Sequence, residues 1–237
     1  MTPSRSSLNA ASMHHHVQQE YERLAAIYDQ RWSRYIAMTL NAVMEVVKLD
    51  RQMRVLDVAC GTGELERRLL ERQPDLDIVG TDLSAPMLRL ARAKLPHSAT
   101  AWIQADATWL PLADSLFDLV VCANSFHYFA QPVEALQEMR RVLHSNGVFI
   151  LVDWCDDYLA CKLCSIWLRW TRRAFYRTYS ARACRSMLEE AGFTVQKMDR
   201  FRVGWIWGLM RFVCIRRPEP EMPAIVAATA QRVSRTG

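Results

Sequence analysis

The stretch Val55-Leu-Asp57-Val-Ala59-Cys60-Gly61-Thr62-Gly63-Glu64-Leu65 constrains this chain more than any other. An apolar run enters a tight turn of small residues, and the turn opens directly into a helical pattern. Without a Cβ, Gly61 and Gly63 let the backbone approach a ligand closely, and the helix start supplies N–H groups with no partner inside the helix. The glycines are telling because the chain has only 8 in 237 residues, where average usage would give roughly 17.

The turn does not read as a phosphate loop. A dinucleotide fingerprint needs a third glycine three residues after Gly63, where this chain has Glu66, and a P-loop needs Gly-Lys-Ser/Thr where this one has Gly-Glu-Leu. Glu64 at the helix start repels a phosphate and suits a cationic ligand, and Asp57 at the strand end can orient an ammonium group or the loop itself.

Strand and helix patterns alternate from there. Strands are expected at 54–58, 77–81, 102–106, 117–122 and 148–152, with helices at 64–72, from the Ser84 cap to 94, and at 132–143. Asn146-Gly147 reads as a turn before the fifth strand. Repeated strand-helix-strand units with apolar strands imply a parallel, doubly wound α/β sheet. After Asp153 the rhythm breaks: residues 158–179 look like an inserted helix or helix pair, and 181–191 like a helix ended by Gly192. Residues 193–203 and 207–216 look like two strands of a hairpin. The expected division is a flexible 1–16, a domain over 17–217 with a helical lid at 17–49 and a cap at 156–191, and a tail at 218–237. His14 to His16 fall in the floppy first segment.

With these motifs in this order, the chain resembles the class I S-adenosylmethionine-dependent methyltransferases, close to the small-molecule branch of the ubiquinone and menaquinone methyltransferases. Asp57 to Gly63 matches the family's first motif, with Ala59 where many members have glycine. Asp82 ends the second strand 19 residues beyond Gly63, the spacing of one crossover. The resemblance implies a Rossmann-like, seven-stranded, mostly parallel sheet with an N-terminal helical lid and a helical cap after strand five. It also implies S-adenosyl-L-methionine as cofactor, with Asp82 on the ribose hydroxyls, Leu83 on the adenine ring, and Asp106 and Ala107 beside it. The expected cofactor-binding set is Tyr28, Asp57, Ala59, Cys60, Gly61, Gly63, Asp82, Leu83, Met87, Asp106, Ala107 and Asn124. A sulfonium cation without phosphate agrees with a glycine turn flanked by acids.

Methyl transfer is an in-line displacement with an activated leaving group, so alignment does most of the work, and a base is needed only where the nucleophile keeps its proton. His127, after strand four, is the expected base or substrate orienter; Asp153 and Tyr28 complete the catalytic candidates. Trp154, Tyr158, Arg169, Tyr176 and Tyr179 are the expected acceptor-side residues together with His127, and Trp32 is either lid or core. Half-buried tyrosines on an amphipathic helix equally suit plain packing. No metal site is expected: the single pair Cys161-x-x-Cys164 falls short of four zinc ligands, though it keeps an arsenite or thiol acceptor open.

The formal net charge is +5, yet seven basic residues and no acid lie between Lys162 and Arg185, which leaves −2 for the rest. That basic segment, with its interleaved Trp and Tyr, suits an anionic membrane surface, an acidic substrate, RNA, or merely a solvated face. Asn124 is followed by Ser-Phe-His, not the Pro-Pro-aromatic of an exocyclic-amine enzyme, which disfavours nucleic acid as acceptor. The expected partner is a small aromatic or lipophilic acceptor methylated on oxygen, nitrogen or carbon. The competing class is a methyltransferase fold kept as a non-catalytic binding partner. Seven cysteines, an odd number, and no leader-like start fit reduced thiols in a cytoplasm, with a peripheral membrane contact open.

Overall fold

The computed structural model describes residues 32–171, 177–203 and 207–218. Tyr28, Tyr176, His14 to His16, the 1–16 segment, Arg172, Arg173, Gly204 and all but the first residue of the 218–237 tail lie outside the described residues.

The strands are β1 (Arg54–Val58), β2 (Asp77–Asp82), β3 (Ala101–Gln104), β4 (Phe117–Ala123), β5 (Leu143–Trp154), β6 (Phe193–Val203) and β7 (Trp207–Arg216). They form one sheet in the order β3-β2-β1-β4-β5-β7-β6. All neighbours are parallel except β7, which runs antiparallel to both β5 and β6. The helices are α1 over residues 32–44, α2 (Glu64–Arg72), α3 (Ala85–Lys94), α4 (Pro132–Val142), α5 (Leu159–Thr171) and α6 (Ala181–Glu190).

Two apolar layers cover the sheet, and the alternation of each strand sorts its residues between them. On one face Leu56, Val58, Val120, Phe149, Leu151 and Phe212 meet Leu136 and Met139 of α4 and Leu188 of α6. On the other, Val55, Ile78, Leu119, Val121, Ile150 and Val152 meet Ile36, Leu40 and Val43 of α1 and Leu65 and Leu69 of α2. Strands buried on both sides must be apolar at every position, and four consecutive residues of β4 are: Leu119 to Cys122 are all buried.

Three expectations shift locally. The third strand spans Ala101–Gln104 and stops before Asp106, because Asp106 Oδ1 accepts from Thr108 N and Oγ1 and turns the chain. The fifth strand begins at Leu143, not at Val148: Leu143 pairs with Phe117 and Val148 with Leu119, so the expected turn at Asn146-Gly147 is a bulge inside the strand. A Cβ on Gly147 would stand 2.6 Å from Leu143 Cδ1, which is why glycine occupies that bulge. Ser84 holds the N-cap position of α3 but its hydroxyl caps nothing; Asp82 Oδ1 accepts from Ser84 N instead. Gly192 ends α6 at φ 89°, a left-handed conformation glycine adopts at no steric cost.

Candidate active site at the carboxyl edge of the sheet

The strand order reverses at β1, which has β2 on one side and β4 on the other. At such a switch point the connections leave in opposite directions and open a crevice. A cleft of about 1160 Å³, measured out to its mouth, occupies this crevice. Asp57, Ala59, Cys60 and Gly61 form its floor, Asp82, Leu83 and Ser84 one wall, Asp106 and Ala107 the next, and Ala123, Asn124 and Ser125 the opposite one. Ile36 and Leu40 of α1 cover it, and Tyr128, Phe129 and Ala130 close the far side.

The glycine turn is bound to its neighbours by backbone and carboxylate. Cys60 N donates to Thr81 O at 2.9 Å, and Gly61 N donates to Asp82 Oδ2 at 2.9 Å. Ala59, Gly61 and Gly63 have φ of 60°, 57° and 74°, so the turn makes three left-handed residues in five. A Cβ on Gly61 would meet no atom within 4 Å, consistent with its place on the open floor, whereas one on Gly63 would lie 2.8 Å from Trp102 Cη2. Gly61 therefore clears ligand space, and Gly63 permits close packing of the helix start on β3.

Acids gather around this turn. Burial pushes the Asp57 carboxyl well above its ordinary range, with Glu66 and Asp82 adding to the effect. Burial likewise raises Asp82 to about 6, opposed by the Ser84 and Gly61 amides, and Glu66 to about 8. Asp57 and Asp82, both with raised proton affinity, line the cleft, which therefore gains by receiving a cation; Glu66 lies buried behind them. Ser84 Oγ is buried on the cleft wall and has no hydrogen-bond partner, so a polar ligand has an open group to meet. These observations fit S-adenosylmethionine, whose ammonium and sulfonium are cationic: Asp57 and the turn would face its amino-acid end, Asp82 its ribose, and Leu83, Asp106 and Ala107 its base.

Nine of the expected cofactor residues line the cleft: Asp57, Ala59, Cys60, Gly61, Asp82, Leu83, Asp106, Ala107 and Asn124. Gly63 and Met87 do not; both are buried behind the wall. The sequence reading missed Tyr35 and Thr39 of α1. Tyr35 OH donates to Asn124 Oδ1 at 2.8 Å and accepts from Trp154 Nε1 at 2.6 Å, and Asn124 Nδ2 donates to Thr39 Oγ1 at 2.8 Å. The helical spacing of Trp32, Tyr35, Ile36 and Leu40 could have signalled a face turned to the cleft. Trp32 stands edge-on to Tyr35 at 6.3 Å and packs into the adjoining core.

Two of the expected catalytic residues, His127 and Asp153, meet. His127 Nδ1 lies 2.6 Å from Asp153 Oδ1, His127 N donates to Oδ2 at 2.9 Å, and Trp154 N donates to Oδ1 at 2.6 Å. The carboxylate thus accepts from two backbone N–H groups and has the imidazole Nδ1 against it, so Nδ1 faces it as a donor. The ring stacks on Trp154 at 4.7 Å. His127 is only 3% exposed and is not part of the cleft wall, although Ser125 and Tyr128 beside it are. Tyr158 lies against β7, where a Cβ on Gly208 would come within 1.9 Å of its ring, and Tyr179 is buried against Phe126. Arg169 lies on α5. Cys161 Sγ bonds both the N–H and the carbonyl of Gly208, and burial raises the thiols of Cys161 and Cys164. No cluster of three metal-ligating side chains occurs among the described residues.

Residues 56–151 match the family described as methyltransferase domain. The chain is 43% identical over 103 residues to a demethylmenaquinone methyltransferase of Deinococcus radiodurans, 43% of each chain being covered. It is 35% identical over 138 residues to a malonyl-[acyl-carrier protein] O-methyltransferase of Geobacter sulfurreducens, covering 58% of this chain and 49% of that one. The chain thus spans less than half the length of these two relatives. A chain of the Haloferax volcanii complex that contains the Trm112 methyltransferase activator superposes with a TM-score of 0.76 at 19% identity, covering 87% of this chain and 100% of that one. No described helix is long and apolar enough to cross a membrane. In its matched domain, its strand order and its acid-flanked glycine turn, the chain is similar to the class I S-adenosylmethionine-dependent methyltransferases and resembles the ubiquinone and menaquinone methyltransferases among them.

Proposed function

We propose that the protein transfers a methyl group from S-adenosylmethionine to a small aromatic or lipophilic acceptor. The observation that carries this reading is the tie of Gly61 N to Asp82 Oδ2 at the floor of the cleft. It brings the glycine turn and the acid at the end of β2 to one ligand. When bound, the cofactor supplies an electrophilic methyl with a neutral leaving group; the chain supplies position. Asp57 and the glycine turn would hold the amino-acid end and Asp82 the ribose, with the unpartnered Ser84 hydroxyl beside them; Ile36 and Leu40 would exclude water, and Tyr128 and Phe129 would face the acceptor.

The burial of His127 gives it a positioning role. The dyad with Asp153 fixes the turn at 126–128, which presents Ser125 and Tyr128 to the cleft. An amide at position 127 can imitate the Nδ1–H donor but cannot take a proton as imidazole does. His127→Asn is therefore expected to keep most of the turnover that His127→Ala loses, with no new pH dependence. An inactive but folded His127→Asn enzyme would assign His127 to proton transfer instead.

The similarity to a ubiquinone/menaquinone biosynthesis C-methyltransferase and to a malonyl-[acyl-carrier protein] O-methyltransferase supports an acceptor on either carbon or oxygen. Isothermal titration with S-adenosylmethionine, followed by labelled methyl transfer to reduced naphthoquinones, phenols and acyl thioester carboxylates, tests the reading. Asp82→Ala should weaken cofactor binding at least about tenfold, as expected for losing a charge-assisted contact. Absence of binding by the wild-type chain would end the proposal, and binding without transfer to any acceptor would favour a non-catalytic partner.

A further inference from the structure

Helix α5 (Leu159–Thr171) is built with its apolar side outward. Leu159 is 71% exposed, Leu163 58%, Ile166 51%, Trp167 60% and Trp170 88%. At about 100° per residue these five fall within an arc of roughly 100°. The opposite side carries Cys161 and Ser165, both buried, and it is this side that meets the sheet, through the Cys161 thiol on the Gly208 backbone. A water-facing helix of a globular domain has the reverse pattern, and an apolar patch of this size marks an interaction surface.

Charge selects the occupant. Lys162 is exposed on the flank of the apolar arc. The sequence of α5 has two cations, Lys162 and Arg169, and no acid. A second copy of the chain would set these cations against one another. An anionic lipid surface complements them, takes up the leucines, and favours tryptophan at its interface. Thirteen residues rise about 20 Å, too little to span a bilayer, so the helix lies in the surface. We infer that α5 is an interfacial helix that seats the protein on an anionic lipid bilayer.

The helix begins shortly after β5 ends at Trp154, on the edge of the sheet that holds the cleft. Seating by α5 therefore turns the acceptor side toward the lipid, where a lipophilic acceptor is found. Vesicle binding needs neither cofactor nor acceptor, so it succeeds or fails independently of methyl transfer.

The test is co-sedimentation of the full chain with phosphatidylcholine vesicles, with and without phosphatidylglycerol, at low and high salt. Binding is expected to the anionic vesicles, to weaken with salt, and to fall at least about tenfold in Leu163→Ser/Trp167→Ser/Trp170→Ser. That variant should keep the wild-type melting temperature, since the three side chains are already in water. Lys162→Glu should weaken anionic binding alone. No vesicle binding, or equal binding to neutral and anionic vesicles, overturns the inference. So does a wild-type dimer that the triple variant dissolves without any vesicle binding, which would assign the face to a second copy.

Discussion

Ala59 occupies φ 60° at the floor of the cleft, a left-handed conformation that costs a residue with a Cβ about 1–2 kcal/mol. Part of that cost is offset because alanine restricts the unfolded chain more than glycine does. Ala59→Gly should therefore raise stability by about 0.5–1 kcal/mol in urea denaturation. A loss of stability would show that the methyl group packs favourably enough to offset its strain. Glu66 presents the opposite kind of cost. Neither of its oxygens makes a hydrogen bond, and Oε1 lies where a Cβ on Gly80 would come within 2.7 Å. Burial raises its carboxyl to about 8, whereas an unfolded glutamate titrates near 4.3. Between these values the folded state holds the proton and the unfolded state does not, so stability falls as pH rises through that window and levels off above it. Asp82, raised to about 6, adds the same sign over a narrower range. Glu66→Gln should flatten the decline and melt several degrees above wild type at alkaline pH, at roughly 2–4 °C per kcal/mol for a chain of this size. Parallel melting curves for the two proteins would contradict the assignment. In the sequence Glu66 registers only as the residue that spoils a dinucleotide fingerprint; its burial against Gly80 depends on two elements meeting in space.

At the scale of elements, α1 is held by contacts that no local pattern announces. Arg211 of β7, 7% exposed, donates to Ala42 O at 2.6 Å and Glu45 Oε2 at 2.9 Å, and pairs with Asp199 Oδ2 of β6 at 2.8 Å. With Tyr35 on Asn124 and Trp154, this fastens the helix that roofs the cleft at both ends. The bonded partners are separated by 166 and 169 residues, which is why the sequence reveals α1 as amphipathic but not what it latches to. Both carboxylates remain partly open to solvent, so the cost of removal is that of losing a charge-assisted network and not of stranding a buried ion. Arg211→Met should destabilise by about 2 kcal/mol and speed amide exchange over 32–44 more than over the central strands. Uniform exchange across the sheet would show that Arg211 supports the core generally. The strands and α2 were legible to within a residue or two because their periodicity is local. The start of β5 was not, because its pairing with Phe117 across a bulge is a contact between elements.

Across the whole molecule, nine of the expected cofactor residues converge on one cleft although they come from four strand ends. That convergence was legible because a doubly wound sheet sends all parallel strand ends to one edge, so motif order becomes motif proximity. The residues expected on the acceptor side were less legible. His127 and Asp153 were singled out for chemistry, and the fold instead encloses them as a buried pair. The charge of +5 also acquires a place: the basic residues of 162–185 begin on the helix whose apolar side faces outward.

The position of β7 carries one more consequence. It comes last among the described strands, yet it sits between β5 and β6 and not at the rim. Until residues 207–216 have left the ribosome, β5 keeps a bare edge of unpaired backbone groups and β6 has no neighbour within the sheet. The nascent chain therefore completes the glycine turn, β1 and β4 well before it can seal its own sheet. A chain truncated just before Trp207 would be released with an adhesive edge, prone to join others of its kind.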